Sequence, residues 1–167
     1  PMKTKQLQKG LQQLGEEGAI QVLETPTGRL LLGAVGTLQF EIGIQTFDPE
    51  VQTRISRRQN DDKAAANLRW LRAHSKAHLH VDLIAGLPGE SVDSFARGFD
   101  RLVALAPHEI QFGILKRLRG APIARHIQAH DLRFNPDPPY NILSTDIIDF
   151  ATMQRLVLER VYAIPFG

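Results

Sequence analysis

Between Leu38 and Leu115 the chain switches repeatedly between a two-residue and a helical period, and this alternation limits the possible folds more than any other feature. Phe40, Ile42 and Ile44 alternate with Glu41, Gly43 and Gln45, as in a strand with one covered face. Asp48-Pro49 then starts a short helix to about Arg57, because an Asp side chain caps unpaired backbone N–H groups and Pro suits the first helical position. Asn60 or Asp61 caps a second helix, with Ala64, Leu68 and Leu71 at helical spacing. Leu79 to Gly86 reads as a second strand. Ser91 caps a helix whose Phe95, Phe99, Leu102, Val103 and Ala106 form one apolar stripe. Pro107 ends that helix, and Ile110 to Leu115 is a third strand. Strands spaced at roughly 30 to 40 residues with helices between them require parallel crossovers. The expected class is α/β, either half of a TIM-type barrel or an open, mostly parallel sheet.

The flanks are less regular. Lys3 to Gln13 reads as an amphipathic helix through Leu7, Leu11 and Leu14, ended by Gly15 or Gly18. Ala19 to Leu23 and Leu30 to Val35 are short apolar runs around the turn residues Thr25-Pro26-Thr27-Gly28, which predicts a β-hairpin. After Lys116, the stretch Phe134 to Pro139 is too rich in proline for a helix or central strand and reads as an extended linker. Ser144 or Thr145 is expected to cap a last helix from about Asp146 to Val161. The expected organisation is a helix plus hairpin over 1–40, a βαβαβ half-barrel over 41–122, and a linker with a final helix over 123–167 packed on the same domain.

With 167 residues, 43% of them hydrophobic and 23% charged, the chain has enough apolar material for one core, and its composition is that of a globular protein. A net charge of +2 gives little reason to expect a nucleic-acid partner. No apolar run approaches the ~20 residues of a membrane span, and no signal-peptide pattern opens the sequence, so the expected location is cytoplasmic and no membrane partner is expected. The chain has no cysteine. That removes disulfides, a cysteine nucleophile, thiolate zinc sites and any cysteine-ligated iron–sulfur cluster held by this chain alone.

Strand parity directs attention to one face. Glu41, Gly43 and Gln45 share a side of the first strand, His80, Asp82 and Ile84 of the second, and Gln111, Gly113 and Leu115 of the third. Polar groups on the inner face of buried strands are costly unless they bind something. His74, His78, His80 and Asp82 have the composition of a metal site, but His74 lies at a helix end and His80 points inward from a strand. The reading is an exposed pair plus a core histidine, with no metal. Gly86-Leu-Pro-Gly89 lacks the Lys-Ser/Thr of a phosphate loop and reads as a tight strand-to-helix turn. Lys116, Arg117 and Arg119, like Arg54, Arg57 and Arg58, form basic runs that suit a solvated face or an RNA contact. No catalytic residue is assigned, because no Ser, His or Asp stands in a nucleophile-elbow or triad context.

Three blocks carry a family likeness. They are Gly43-Ile-Gln-Thr-Phe-Asp-Pro-Glu-Val-Gln52 with Ser56-Arg57-Arg58, His80-Val-Asp-Leu-Ile-Ala-Gly-Leu-Pro-Gly-Glu90, and Leu115-Lys-Arg-Leu-Arg-Gly-Ala-Pro122. In this order and spacing they resemble the radical S-adenosylmethionine superfamily, nearest to its cobalamin-binding, BchE-like members. The stretches Asn135 to Tyr140 and Thr145 to Leu156 look like the tail of the same subgroup. The resemblance implies that Gln45, Arg57 and Asp82 touch the nucleoside and amino-acid ends of S-adenosylmethionine. The amide and carboxylate suit ribose hydroxyls and the guanidinium suits a carboxylate. A salt bridge between Asp82 and Arg57 is the equally weighted alternative. The family holds its cluster on a CxxxCxxC loop after the first barrel strand, and this chain has neither that loop nor that strand. No iron–sulfur cluster and no radical catalysis by this chain alone are therefore expected.

The first forty residues resemble something else. Lys5-Gln-Leu-Gln-Lys-Gly-Leu11, Leu14-Gly-Glu-Glu-Gly-Ala19 and Gly33-Ala-Val-Gly36 look like the region after the GTPase of a bacterial class II peptide-release factor. The two likenesses meet at Leu38-Gln-Phe-Glu41, so the chain reads as a splice, by engineering or by a fused reading frame. The leading expectation is a non-catalytic chimera that self-associates through open sheet edges. The alternatives are a partial module that binds S-adenosylmethionine weakly and a translation-linked module that touches ribosome or RNA.

Overall fold

A computed structural model describes residues 20–24, 30–34, 38–57 and 59–159, and the chain divides into two compact units, Pro1–Leu38 and Gln39–Gly167. In the first unit the apolar runs pair as expected. Strand β1 (Ile20–Glu24) lies antiparallel to β2 (Leu30–Ala34), with Ile20 opposite Ala34 and Glu24 opposite Leu30. The expected Lys3–Gln13 helix and the Thr25–Gly28 turn lie outside the described residues.

The second unit is built on three parallel strands in the order β3 (Gln39–Gln45), β4 (His78–Ala85) and β5 (Glu109–Ile114). Helices α1 (Pro49–Arg54) and α2 (Asp61–His74) join β3 to β4, and α3 (Val92–Ala104) joins β4 to β5. The sheet is open and does not close into a barrel. Alternation sets its two faces. Leu79, Val81, Leu83 and Ala85 of β4 are buried together with Ile44 of β3 and Ile110 and Ile114 of β5. Helices cover this side. Phe95 of α3 stacks on Phe112 of β5 at 4.6 Å between ring centroids, and Ala65 and Leu68 of α2 and Leu102 of α3 are buried. The four β4 residues are each 0–1% exposed, so this is the best-packed row of the core. The alternate residues of β4, including His80 and Asp82, are only half-buried. The inner polar face is thus open to solvent, which removes much of the burial cost that strand parity alone suggests.

The helix starts follow the local chemistry. Asp48 accepts from the backbone N–H groups of Glu50 and Val51, Asn60 from Lys63, and Ser91 from Ser94. Helix α1 is shorter than expected. It stops at Arg54 because Ser56 takes φ +59° and the Arg57 N–H turns back onto Gln52 O at 2.8 Å.

Beyond β5 the structure corrects two expectations. The Phe134–Pro139 stretch is not a free linker. Strand β6 (Arg133–Phe134) pairs antiparallel with β7 (Ile142–Ser144), and Asn135 N–H donates to Asn141 O at 2.9 Å. The proline run is the connection of a small hairpin-like excursion. The last helix, α4 (Phe150–Glu159), starts later than Asp146. Thr145 Oγ1 accepts from Ile147 and Ile148 N–H in a local turn, Asp146 N–H is drawn to His130 O, and Asp149 instead caps Thr152 N–H at 2.7 Å. A short 3₁₀ helix, Pro122–His126, precedes this region. Among the described residues, no helix is long and apolar enough to cross a membrane.

Candidate functional site

The open face of the parallel sheet is shaped by an irregularity at the end of β3. Gly43 pairs with Asp82 and Gln45 with Leu83, so one residue is inserted between them, and Gln45 takes φ +70°. A left-handed glutamine costs on the order of 1 kcal/mol, and the neighbouring packing must hold it there. The bulge keeps Ile44 buried at 2% exposure while the Gln45 amide folds back over Gly43. A Cβ at Gly43 would lie 2.6 Å from Gln45 Nε2 and 3.6 Å from Arg57 Nη2, so a larger residue would push the glutamine amide out of this position. Arg57 Nη2 donates to the Gly43 carbonyl, and its Nε donates to Gln59 Oε1 at 3.3 Å.

The three residues implied by the resemblance are therefore gathered around one glycine, but not equivalently. Gln45 and Asp82 line a common hollow of about 540 Å³ with Glu109, Gln111 and Lys116 among its other walls. Arg57 supports the Gly43 backbone and is not a wall of the hollow. The alternative salt bridge between Asp82 and Arg57 is absent. Asp82 Oδ1 instead lies 3.4 Å from His80 Nε2, and both atoms are buried without a hydrogen-bond partner among the described residues. Burial pushes the Asp82 carboxyl above its usual range. His80 opposes the shift, and the like charges of Glu41 and Glu109 add to it.

The other histidines are scattered: His126 and His130 lie beyond β5, and His130 Nδ1 is 3.2 Å from Asp146 Oδ2. His74 stacks on Trp70, and His78 stacks on His108 while reaching Glu109 at 3.4 Å. Among the described residues, no three His, Asp or Glu side chains come together in metal-binding geometry. Gly86 and Gly89 take φ +84° and +73°, which the tight turn after β4 requires, and Arg54 Nη1 fastens that turn through Pro88 O at 2.7 Å.

Sequence reasoning did not single out Thr46 and Glu90. They are 1% and 2% exposed, and the Thr46 hydroxyl donates to Glu90 Oε1 at 2.5 Å, tying the turn after β3 to the turn after β4. Glu90 Oε2 is buried without a partner, and burial raises its carboxyl to about 7. The one available signal was a charged residue wedged between Gly86-Leu-Pro-Gly89 and the helix cap Ser91.

The donor set can be tested against the groups the resemblance implies. An amide beside a glycine cradle and a half-buried carboxylate lining the same hollow fit the hydroxyl and amine groups of S-adenosylmethionine. They do not fit an iron–sulfur cluster, for which the chain supplies no thiolate.

Comparison with known proteins finds two kinds of relative. The family model described as class II release factor RF3, C-terminal domain, matches residues 1–116. Peptide chain release factor 3 of Aromatoleum aromaticum is 66% identical over 50 residues, 30% of this chain and 9% of that protein. Oxygen-independent coproporphyrinogen III oxidase of Pseudomonas aeruginosa is 35% identical over 80 residues, 48% of this chain and 17% of that protein. The solved structure of coproporphyrinogen III oxidase (HemN) from Escherichia coli, described as a radical SAM enzyme, is 25% identical with a TM-score of 0.53. It covers 77% of this chain and 27% of its own. The chain thus spans less than a third of each of these relatives. On the radical side they are HemN-like, and the cobalamin-binding subgroup rests on the sequence blocks alone. The two likenesses meet in one composite chain, which by the match over residues 1–116 belongs to the family of class II release factor RF3 C-terminal domains.

Proposed function

We propose that this composite binds the nucleoside end of S-adenosylmethionine on the open face of β3, β4 and β5, and does not itself cleave it. One observation carries the reading: Gln45 and Asp82 line the same hollow on that face. Asp82 accepts from ribose hydroxyls, Gln45 offers both a donor and an acceptor, and Arg57 acts as a positioning residue through the Gly43 carbonyl. When bound, S-adenosylmethionine supplies a sulfonium whose reductive cleavage needs a cluster, and the thiolates for one would have to come from outside this chain. The joining of the two pieces is read as engineering or a fused reading frame, and the protein as cytoplasmic. Calorimetric titration with S-adenosylmethionine tests the reading. Saturable heat is expected, with affinity falling about tenfold in Asp82→Ala for the loss of a charge-assisted hydrogen bond. Absence of heat at millimolar ligand would sink it.

A second reading, contact with the ribosome or RNA, draws on the release-factor match over residues 1–116. It predicts co-sedimentation with ribosomes at low salt that is lost as salt rises. A chain that stays in the supernatant at low salt removes it.

A further inference from the structure

A second cleft, of about 690 Å³, lies beyond β5, and neither Gln45 nor Asp82 takes part in it. One wall is the loop Arg117–Ala121, and the floor and opposite side come from Ile127, Leu132 and Phe134. The loop is anchored at its start. Lys116 bridges to Asn141, and Arg117 N–H donates to Tyr140 O at 2.9 Å. The opposite rim is anchored as well, with Tyr140 N–H on Asp137 O and Asn135 N–H on Asn141 O, both at 2.9 Å.

Two properties of this cleft call for a ligand. Arg117 and Arg119 stand two positions apart on one short loop, and among the described residues neither is in a salt bridge. Beside them the cleft shows apolar surface to water. Leu118 is 60% exposed and Tyr140 41%, above a Leu132 floor that is buried. A solvated basic face has no use for a concave apolar floor, and an apolar docking groove has no use for paired arginines.

We propose that this cleft binds a small organic anion, with a carboxylate or phosphate head on Arg117 and Arg119 and a compact apolar body against Phe134, Leu132 and Tyr140. Guanidinium groups grip such heads through paired N–H donors, and the volume falls within the ~300–1,000 Å³ of small-molecule sites. Asn135, whose Oδ1 accepts from Asp137 N–H at 3.0 Å, also lines the cleft and adds an amide that can donate.

The full chain is titrated calorimetrically with 2-naphthoate, 2-naphthyl phosphate, neutral 2-naphthamide and acetate. The two naphthyl anions should bind saturably, the tighter one naming the head group. The amide should bind about tenfold or more weakly, and acetate should give no saturable heat. The Arg117→Gln/Arg119→Gln double variant should lose about tenfold in naphthoate affinity and with it the preference over the amide. Leu118→Ser, also exposed and loop-borne, should weaken both ligands alike. Asp82→Ala should leave naphthoate binding unchanged, which separates this site from the open sheet face. Equal binding of amide and anion, an unaffected arginine double variant, or loss of binding in Asp82→Ala would each overturn the proposal.

Discussion

Glu90 sits between two turns, with one carboxylate oxygen on the Thr46 hydroxyl and the other unpartnered. Burial lifts its carboxyl from 4.5 to about 7, with the Asp48 charge adding to the shift and the Thr46 hydroxyl opposing it. A carboxyl raised on folding adds stability below its unfolded value and loses it as pH climbs through the folded value. For this residue the window runs from about 4.5 to about 7, and the gap corresponds to about 3 kcal/mol. Glu90→Gln imitates the protonated form. In urea denaturation it should match the natural chain near pH 4 and be the more stable of the two at pH 8, by up to about 3 kcal/mol. Equal stability at pH 8 would show that Glu90 is not held in this state. Thr46 and Glu90 are 44 positions apart, and no local pattern pairs them, so their contact was illegible in the sequence. Asp82 and Gln45 could be read from strand parity and resemblance, whereas the left-handed turn that brings Gln45 over Gly43 depends on the β3–β4 register.

At the level of elements, local chemistry was the reliable guide wherever a cap stood alone. Asp48, Asn60 and Ser91 each open their helix as the sequence suggests. Asp48 also accepts from the Ser94 hydroxyl at 2.9 Å, so it fastens α1 to the start of α3. Asp48→Ala should therefore cost about 1–2 kcal/mol in chemical denaturation, with Asp48→Asn recovering most of it. A loss no larger than that of an exposed alanine variant would discount the cap. The α4 start was misread because Thr145 and Asp149 are both competent caps, and the choice is made by Asp146 N–H bonding to His130, a contact from another segment. Gly86 shows the same dependence. A Cβ there would meet Ile142 Cγ2 at 2.6 Å, against a strand nearly sixty residues later in sequence. Gly86→Ala combines that clash with φ +84° and should destabilise by about 2 kcal/mol or more. A thermal melt with an unchanged midpoint would contradict it.

For the molecule as a whole, the alternating periods were enough to specify a parallel α/β sheet, while its openness followed only from the strand order. Among the described residues of the second unit β4 is paired on both sides, and β3 and β5 on one side each. Unpaired strand edges are templates for another chain. Trp70, Phe150 and Leu158 add apolar surface at 59%, 56% and 67% exposure. Sedimentation velocity should accordingly show a concentration-dependent dimer or larger species. A single monomeric boundary across the micromolar range would refute this.

The parallel ladder also sets an order in time. Strands β1 and β2 are separated by five positions and can meet as soon as both leave the ribosome. Strand β3 cannot, because its partner β4 ends at Ala85, roughly 40 residues after Gln45. At about 5–20 residues per second, β3 waits several seconds with its ladder groups unclaimed. The nascent chain therefore carries an exposed strand until β4 has emerged, and factors that shield growing chains should matter more to this protein than to a hairpin-built one of equal size.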